Sequence, residues 1–186
     1  MNSIKRVVTS FFDFLQGIVV VMALMVMVYL FIMSPQEVNG ESMEPNFHNG
    51  EYILTNKVTY KFRQAVRGDV VIFKSWRSKD IDYIKRVIAL PGETVTLKNN
   101  SIYVNDEKLD EEYLSPNTAI FGGSFLAEGQ SVTVPDNMVF VLGDNRPHSS
   151  DSREFGPVAK DDIIGVVMLR YWPFPEFGVV NRPVYR

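Results

Sequence analysis

The sequence contains no cysteine, which removes disulfides, thiolate metal sites and a cysteine nucleophile from consideration. Histidine is scarce as well. His48 and His148 stand far apart, with no His-Glu-Xaa-Xaa-His or comparable cluster, so neither a metal centre nor a cofactor is expected. An excess of positive charge is also missing. With 19 Lys and Arg against 22 Asp and Glu, a net charge of −3 and no basic stripe, nucleic acid is not an expected partner. The chain shows no internal repeat and no low-complexity tract.

What is present is unevenly spread. From Phe14 to Met33, "FLQGIVVVMALMVMVYLFIM", there are 20 residues without a charge. As a helix this run spans roughly 30 Å, the thickness of a bilayer's hydrocarbon core. A transmembrane helix is expected over 11–33. A cleaved secretory signal would have a shorter apolar region and a small-residue cleavage site, whereas this run exits through "MSPQ". Lys5 and Arg6 precede it, so the positive-inside tendency places residues 1–10 in the cytoplasm and the chain from about Ser34 onward outside, as a single-pass cell-membrane protein. At 186 residues, there is room for one anchor and one catalytic-sized domain.

Beyond the anchor, short runs rich in β-branched and aromatic residues alternate with Gly, Pro, Asn and Asp. The expected strands are 51–55, 69–74, 82–90, 93–98, 101–105, 131–134, 138–143 and 163–172. The fold class is therefore mainly β behind an N-terminal helix. Asn99-Asn100 and Asn105-Asp106 can supply the left-handed conformations that tight reversals need. The stretch 95–135 is more polar and is read as a small inserted β subdomain. The main β domain is then made of 34–94 and 136–186.

Three stretches carry candidate chemistry. In "NGESMEPN", Ser42 lies between Glu41 and Met43 just after the anchor, and a serine nucleophile needs a base within hydrogen-bond reach. In "YIKRVIALPGE", strand alternation puts Tyr83, Lys85 and Val87 on one face and Ile84, Arg86 and Ile88 on the other. Each face then has one cation among apolar neighbours. Arg86 stays protonated, whereas a desolvated Lys85 can act as a base near neutral pH; lowering its pKa from about 10.4 to about 8 costs roughly 3 kcal/mol. The third stretch, "LGDNRPHSSDSREFG", crowds polar residues into a loop after an apolar strand. Alone, each stretch also reads as an ordinary turn, a snorkelling lysine and a solvated loop.

Together, "GESMEP", "GDVVIF" with "YIKRVIALPGE", and "GDNRPHSSDSREFG" resemble, in order and spacing, the motif boxes of type I signal peptidases, membrane-bound serine proteases that cleave signal peptides. The resemblance covers the anchor and all but the insertion, and the single anchor is similar to the Gram-positive bacterial branch. It implies a β-rich catalytic domain against the membrane, with Ser42 as nucleophile and Lys85 as general base, a variant of the triad logic without histidine. It further implies that Ser149 hydrogen-bonds the lysine, that Asp151 and Arg153 shape the site, and that Asp144 and Asn145 have structural roles. The implied partners are signal-peptide-bearing preproteins, membrane lipid and the nearby protein-export machinery.

Sequence proximity to the dyad makes Val38, Met43, Tyr83 and Ile84 the candidate lining for shallow substrate pockets. Gly40 stands where some relatives carry a serine that donates to the oxyanion, so the Ser42 N–H is expected to work with fewer partners. A serine at position 40 is expected to raise kcat unless Gly40 holds a positive φ. Asn46 likewise replaces a frequent threonine. A Ser-His-Asp relay through His148 is not expected, because neighbours in one loop align poorly. The alternatives are a self-cleaving repressor-type protease, opposed by the anchor, and a membrane-anchored β-sheet binding or assembly module without proteolytic activity, opposed by the intact Ser42 and Lys85.

Overall fold

The computed structural model describes residues 2–116, 118–183 and 185. Helix α1 runs from Asn2 to Phe31, and within it Lys5–Phe31 is long and apolar enough to cross a membrane, with none of its most apolar window buried against the rest of the protein. The helix thus fits a single-pass anchor, but its bounds differ from the expected 11–33. It begins earlier because the polar residues ahead of the apolar run are themselves helix-compatible. It ends earlier because Pro35 disfavours a helical Ser34, and the chain turns directly into strand β1 (Met33–Glu37). Pro35 is tolerated there because β1 is an edge strand.

The remaining strands are β2 (Tyr52–Asn56), β3 (Val70–Lys74), β4 (Asp82–Ala89), β5 (Thr94–Lys98), β6 (Ser101–Val104), β7 (Glu107–Lys108), β8 (Ser131–Thr133), β9 (Met138–Leu142), β10 (Val158–Ala159), β11 (Ile163–Trp172) and β12 (Gly178–Val179). Helices α2 (Thr59–Phe62) and α3 (Ser152–Phe155) are single turns. Every expected strand is found, with no end moved by more than one residue. β1, β7, β10 and β12 were not expected, because one is interrupted by proline and the others are only two residues long.

The strands form an eight-stranded sheet, ordered β1-β2-β11-β3-β4-β9-β10 with β12 added to β11, and a four-stranded sheet, β7-β6-β5-β8. The smaller sheet lies within 94–133. Its hairpins turn at Asn99-Asn100 (φ 51° and 55°) and Asn105-Asp106 (φ 53° and 67°), the paired positive φ values that type I′ turns demand. Its apolar face, with Val95, Leu97 and Ile102, joins Ile88, Phe140 and Leu142 of the larger sheet in one core cluster. The two sheets therefore share a hydrophobic core.

Strand β4 positions the site. Val71 and Phe73 of β3 pair with Lys85 and Tyr83 and lie with Val87 in one apolar cluster, while Val70, Ile72 and Ile84 join Val38, Met43 and Phe47 in another. The β4 partner β9 pairs only from Arg86 onward, so the edge of 82–85 facing away from β3 is unpaired within the sheet. The larger sheet also curls. Gln36 of edge strand β1 comes back to Asp82 of β4 across 3.4 Å, closing one end of a cleft.

Candidate active site

The cleft measures about 680 Å³ and is lined by Val38, Gly40 and Ser42 from the turn after β1, by Tyr83, Ile84 and Lys85 from β4, and by His148 and Ser150 from the loop after β9. Lys85 is 4% exposed, and its Nζ donates to Ser42 Oγ at 2.7 Å and to the carbonyl of Ile84 at 2.8 Å. Burial drives its pKa down to about 8, against the weaker opposing pull of Asp151 and Asp144, with Arg153 reinforcing the depression. A neutral amine this close to a serine hydroxyl can accept its proton. The Ser42 N–H donates to no protein acceptor among the described residues, and so is free to meet an anionic oxygen.

The turn that presents Ser42 is tied to the loop behind it. Asn145 donates from its backbone N–H to the Ser42 carbonyl at 3.0 Å and from its side chain to the Glu41 carbonyl at 3.0 Å. Asn46 donates to Asp144 and to the Tyr113 carbonyl, both at 2.9 Å. A glycine is required at 143 because a Cβ there would collide with the Ser149 side chain and the Ser42 carbonyl oxygen. Gly40 sits at φ +97° with its N–H on Asn49 Oδ1 at 2.8 Å, a conformation that disfavours any L side chain even though the space around it is open. That positive φ meets the condition under which the expected gain from a serine at position 40 does not apply.

Behind the cleft, three arginine–carboxylate pairs are almost fully buried. Arg86 binds Asp144 through Nε at 2.9 Å and Nη2 at 2.6 Å. Arg153 binds Asp151 through Nε and Nη2, both at 2.8 Å, and Asp151 also accepts from the Gly143 N–H at 3.0 Å. Arg146 binds Glu111 of the small subdomain at 2.8 and 2.6 Å. Burial by itself pushes the Arg86 pKa down, but the hydrogen bonds to Asp144, the charge of Asp144 and the nearby Tyr113 and Tyr185 together raise it. These pairs tie the 143–153 loop to β4 and to the small subdomain.

Two expectations need correction. Ser149 was to bond the lysine, but its Oγ is shielded from solvent and makes no hydrogen bond, because it packs against Gly143 while Lys85 Nζ is directed to Ser42 and Ile84. Met43 was to line the substrate pocket, but it is 1% exposed and sits in the core with Val38, Phe47 and Ile53. Of the other candidate lining residues, Val38, Tyr83 and Ile84 are at the cleft wall. His148 is at the rim, and the Asp151 oxygens are bonded to Gly143 and Arg153 instead, so no Ser-His-Asp relay is assembled among the described residues.

Arg86, Arg146, Glu111 and Tyr113 were not singled out as site residues. A signal existed for Arg86: an always-charged side chain on an apolar strand face must find a carboxylate. None existed for Glu111 or Tyr113, whose partners are distant in sequence.

A family model described as "Signal peptidase, peptidase S26" matches residues 11–172. Over 176 residues the chain is 39% identical to signal peptidase IB of Staphylococcus aureus (strain COL), covering 89% of this chain and 91% of that one. It is 42% identical over 156 residues to signal peptidase I of Bacillus caldolyticus, covering 80% and 85%. A crystal structure of a signal peptidase I from Enterococcus faecalis V583, 38% identical, aligns with a TM-score of 0.47 over 56% of this chain and 97% of that one. The chain belongs to the signal peptidase family S26.

Proposed function

We propose that this member of family S26 is a membrane-anchored serine endopeptidase that removes N-terminal signal peptides from exported preproteins, cutting after a small residue with Ser42 as nucleophile and Lys85 as general base. The observation that carries the reading is the 2.7 Å contact between a buried, pKa-depressed lysine and a serine hydroxyl at an open cleft. Neutral Lys85 takes the Ser42 proton as Oγ attacks the scissile carbonyl, and the free Ser42 N–H receives the developing oxyanion. The resulting ammonium then gives its proton to the departing amine, leaving an acyl-enzyme. Lys85 next deprotonates a water, which hydrolyses the ester and restores the serine. Asn145, Asp144, Asp151 and Arg153 fix the geometry without touching the reacting atoms.

The substrate lies as an added strand along the unpaired edge of 82–85, where main-chain hydrogen bonds supply affinity and alternate side chains point into the cleft. Val38, Ile53, Ile72, Tyr83 and Ile84 make shallow apolar walls that suit small side chains. With α1 inserted and Lys5 and Arg6 on the cytoplasmic side, the cleft faces the compartment into which preproteins are exported.

The test is incubation of the purified full-length protein in detergent with a signal-peptide-bearing preprotein, followed by mass spectrometry of the products. A single cut after a small residue, absent in Ser42→Ala, is expected. An unprocessed preprotein with the parent enzyme, or continued cutting by Ser42→Ala, would overturn the assignment.

A further inference from the structure

A cavity of about 560 Å³ lies where the anchor meets the β domain, walled by Leu30 and Phe31 from the last turn of α1, by Lys57 and Lys61, and by Asn137 and Lys160. The last turn of α1 carries no basic residue of its own. Lys57 reaches over from the domain instead, its Nζ donating to the carbonyls of Tyr29 at 3.3 Å and Leu30 at 3.5 Å, and it stands 5.5 Å from the Tyr29 ring centre. The terminal carbonyls of the helix thus account for Lys57.

Nothing comparable accounts for Lys61 and Lys160. Neither side chain makes a hydrogen bond or ion pair among the described residues, whereas Lys74 and Lys79 on the same domain pair with Asp82 and Asp162, both within 2.8 Å. Asp161 is the one acid on the cavity wall, set against three lysines. In a chain of net charge −3 this is a local inversion of sign.

Its height matters. The helix long and apolar enough to cross a membrane ends at Phe31, so with α1 inserted the cavity would open at the level of the lipid headgroups.

We infer that this cavity binds the phosphate-bearing headgroup of an anionic phospholipid from the leaflet facing the β domain, with Lys61 and Lys160 on the phosphate, Asn137 as a further donor, and the acyl chains lying along the exposed apolar surface of Leu30 and Phe31. The inference rests on α1 spanning a membrane and not on the peptidase assignment. A lipid held here fixes the height and tilt of the domain relative to the bilayer, which the single anchor helix does not by itself determine.

The test is lipid retention by the full-length protein, measured by native mass spectrometry from mixed micelles containing phosphatidylglycerol and phosphatidylcholine. One tightly held phosphatidylglycerol is expected, preferred by about 30-fold over phosphatidylcholine. That preference should vanish in Lys61→Gln/Lys160→Gln and survive in Lys74→Gln/Lys79→Gln, whose lysines are already paired. Circular dichroism on each variant confirms folding, and a single Lys160→Gln, with an intermediate preference, replaces the double variant if that one unfolds. Equal retention of the two lipids by the parent protein, or an undiminished preference in the Lys61/Lys160 variants, would overturn the inference. Displacement of the lipid by millimolar inorganic phosphate would overturn it in favour of a site for free anions.

Discussion

Lys85 and Arg86 are consecutive residues of β4, buried to 4% and 3% exposure, and they point to opposite faces of the same sheet. Arg86 meets a carboxylate in two-pronged contact and is held charged. Lys85 meets a hydroxyl and a carbonyl, and burial takes its pKa down to about 8. The difference lies in the surrounding arginines. Asp144 is occupied by Arg86 and Asp151 by Arg153, so the two carboxylates that pull on Lys85 do so from a distance, without a bond. A free carboxylate against the lysine would hold its proton and remove its value as a base. Two of the buried ion pairs, Arg86–Asp144 and Arg153–Asp151, therefore serve the lysine by keeping acids away from it.

The contrast predicts opposite consequences for neighbouring substitutions. On the proposed chemistry, Lys85→Met should lower turnover on the order of 10⁴-fold or more, as loss of a member of a nucleophile–base unit does. Lys85→Arg should be equally inactive, because a guanidinium does not accept a proton near neutral pH. A steady-state assay on a signal-peptide substrate measures both. Near-parental activity in Lys85→Arg would break the comparison.

Stability should move the other way. Arg86→Met strands Asp144 in the core, and removing one partner of a buried pair costs about 3–5 kcal/mol. In denaturant titrations it should be far less stable than the parent, whereas Lys85→Met should be more stable at neutral pH. The sign follows from the depressed lysine. Its folded pKa of about 8 is below its ordinary 10.5, so the cost of burying the ammonium is fully present below pH 8 and disappears as pH rises toward 10.5. Across that window the parent should gain about 3 kcal/mol from this residue, at 1.36 kcal/mol per unit, and the advantage of Lys85→Met should close. Activity should rise through pH 8 for the same reason, and His148→Ala should leave that limb in place.

Much of this was legible in the sequence, for identifiable reasons. The eight expected strands were readable because apolar, β-branched runs were bounded by turn residues, and the Asn-Asn and Asn-Asp reversals because few residues tolerate paired positive φ. Ser42 and Lys85 stood out as a polar residue in a special turn and a cation on an apolar strand face, and the structure brings them together. What escaped was long-range or local beyond pattern. The Arg146–Glu111 pair and the Asn46–Tyr113 contact join the small subdomain to the site across sequence separations that no motif spans. Met43 was misplaced because proximity along the chain does not fix which way a side chain points, and Ser149 because a match to a motif box does not fix its hydrogen-bond partner.

The smallest expected effect tests the last piece of the contrast, the turn that brings Ser42 to Lys85. At φ +97°, Gly40 is outside the region where an L residue rests comfortably, and a side chain there costs about 1–2 kcal/mol of backbone strain. Beyond the two adjoining residues no atom lies within 4 Å of where a Cβ would stand, so the cost is conformational and not a collision. The Asn49 bond to the Gly40 N–H opposes relaxation of the turn to a negative φ. Gly40→Ala should therefore lower kcat/KM by about 10-fold, as the strained turn either shifts Ser42 from Lys85 or resists the substrate strand. Gly40→Ser carries the same strain and adds a hydroxyl beside the place where the oxyanion forms. If backbone geometry alone governs the position, the two variants should match in kcat/KM. A serine variant clearly better than the alanine variant would show that its hydroxyl reaches the oxyanion, and that the glycine gives up a donor in exchange for an unstrained turn.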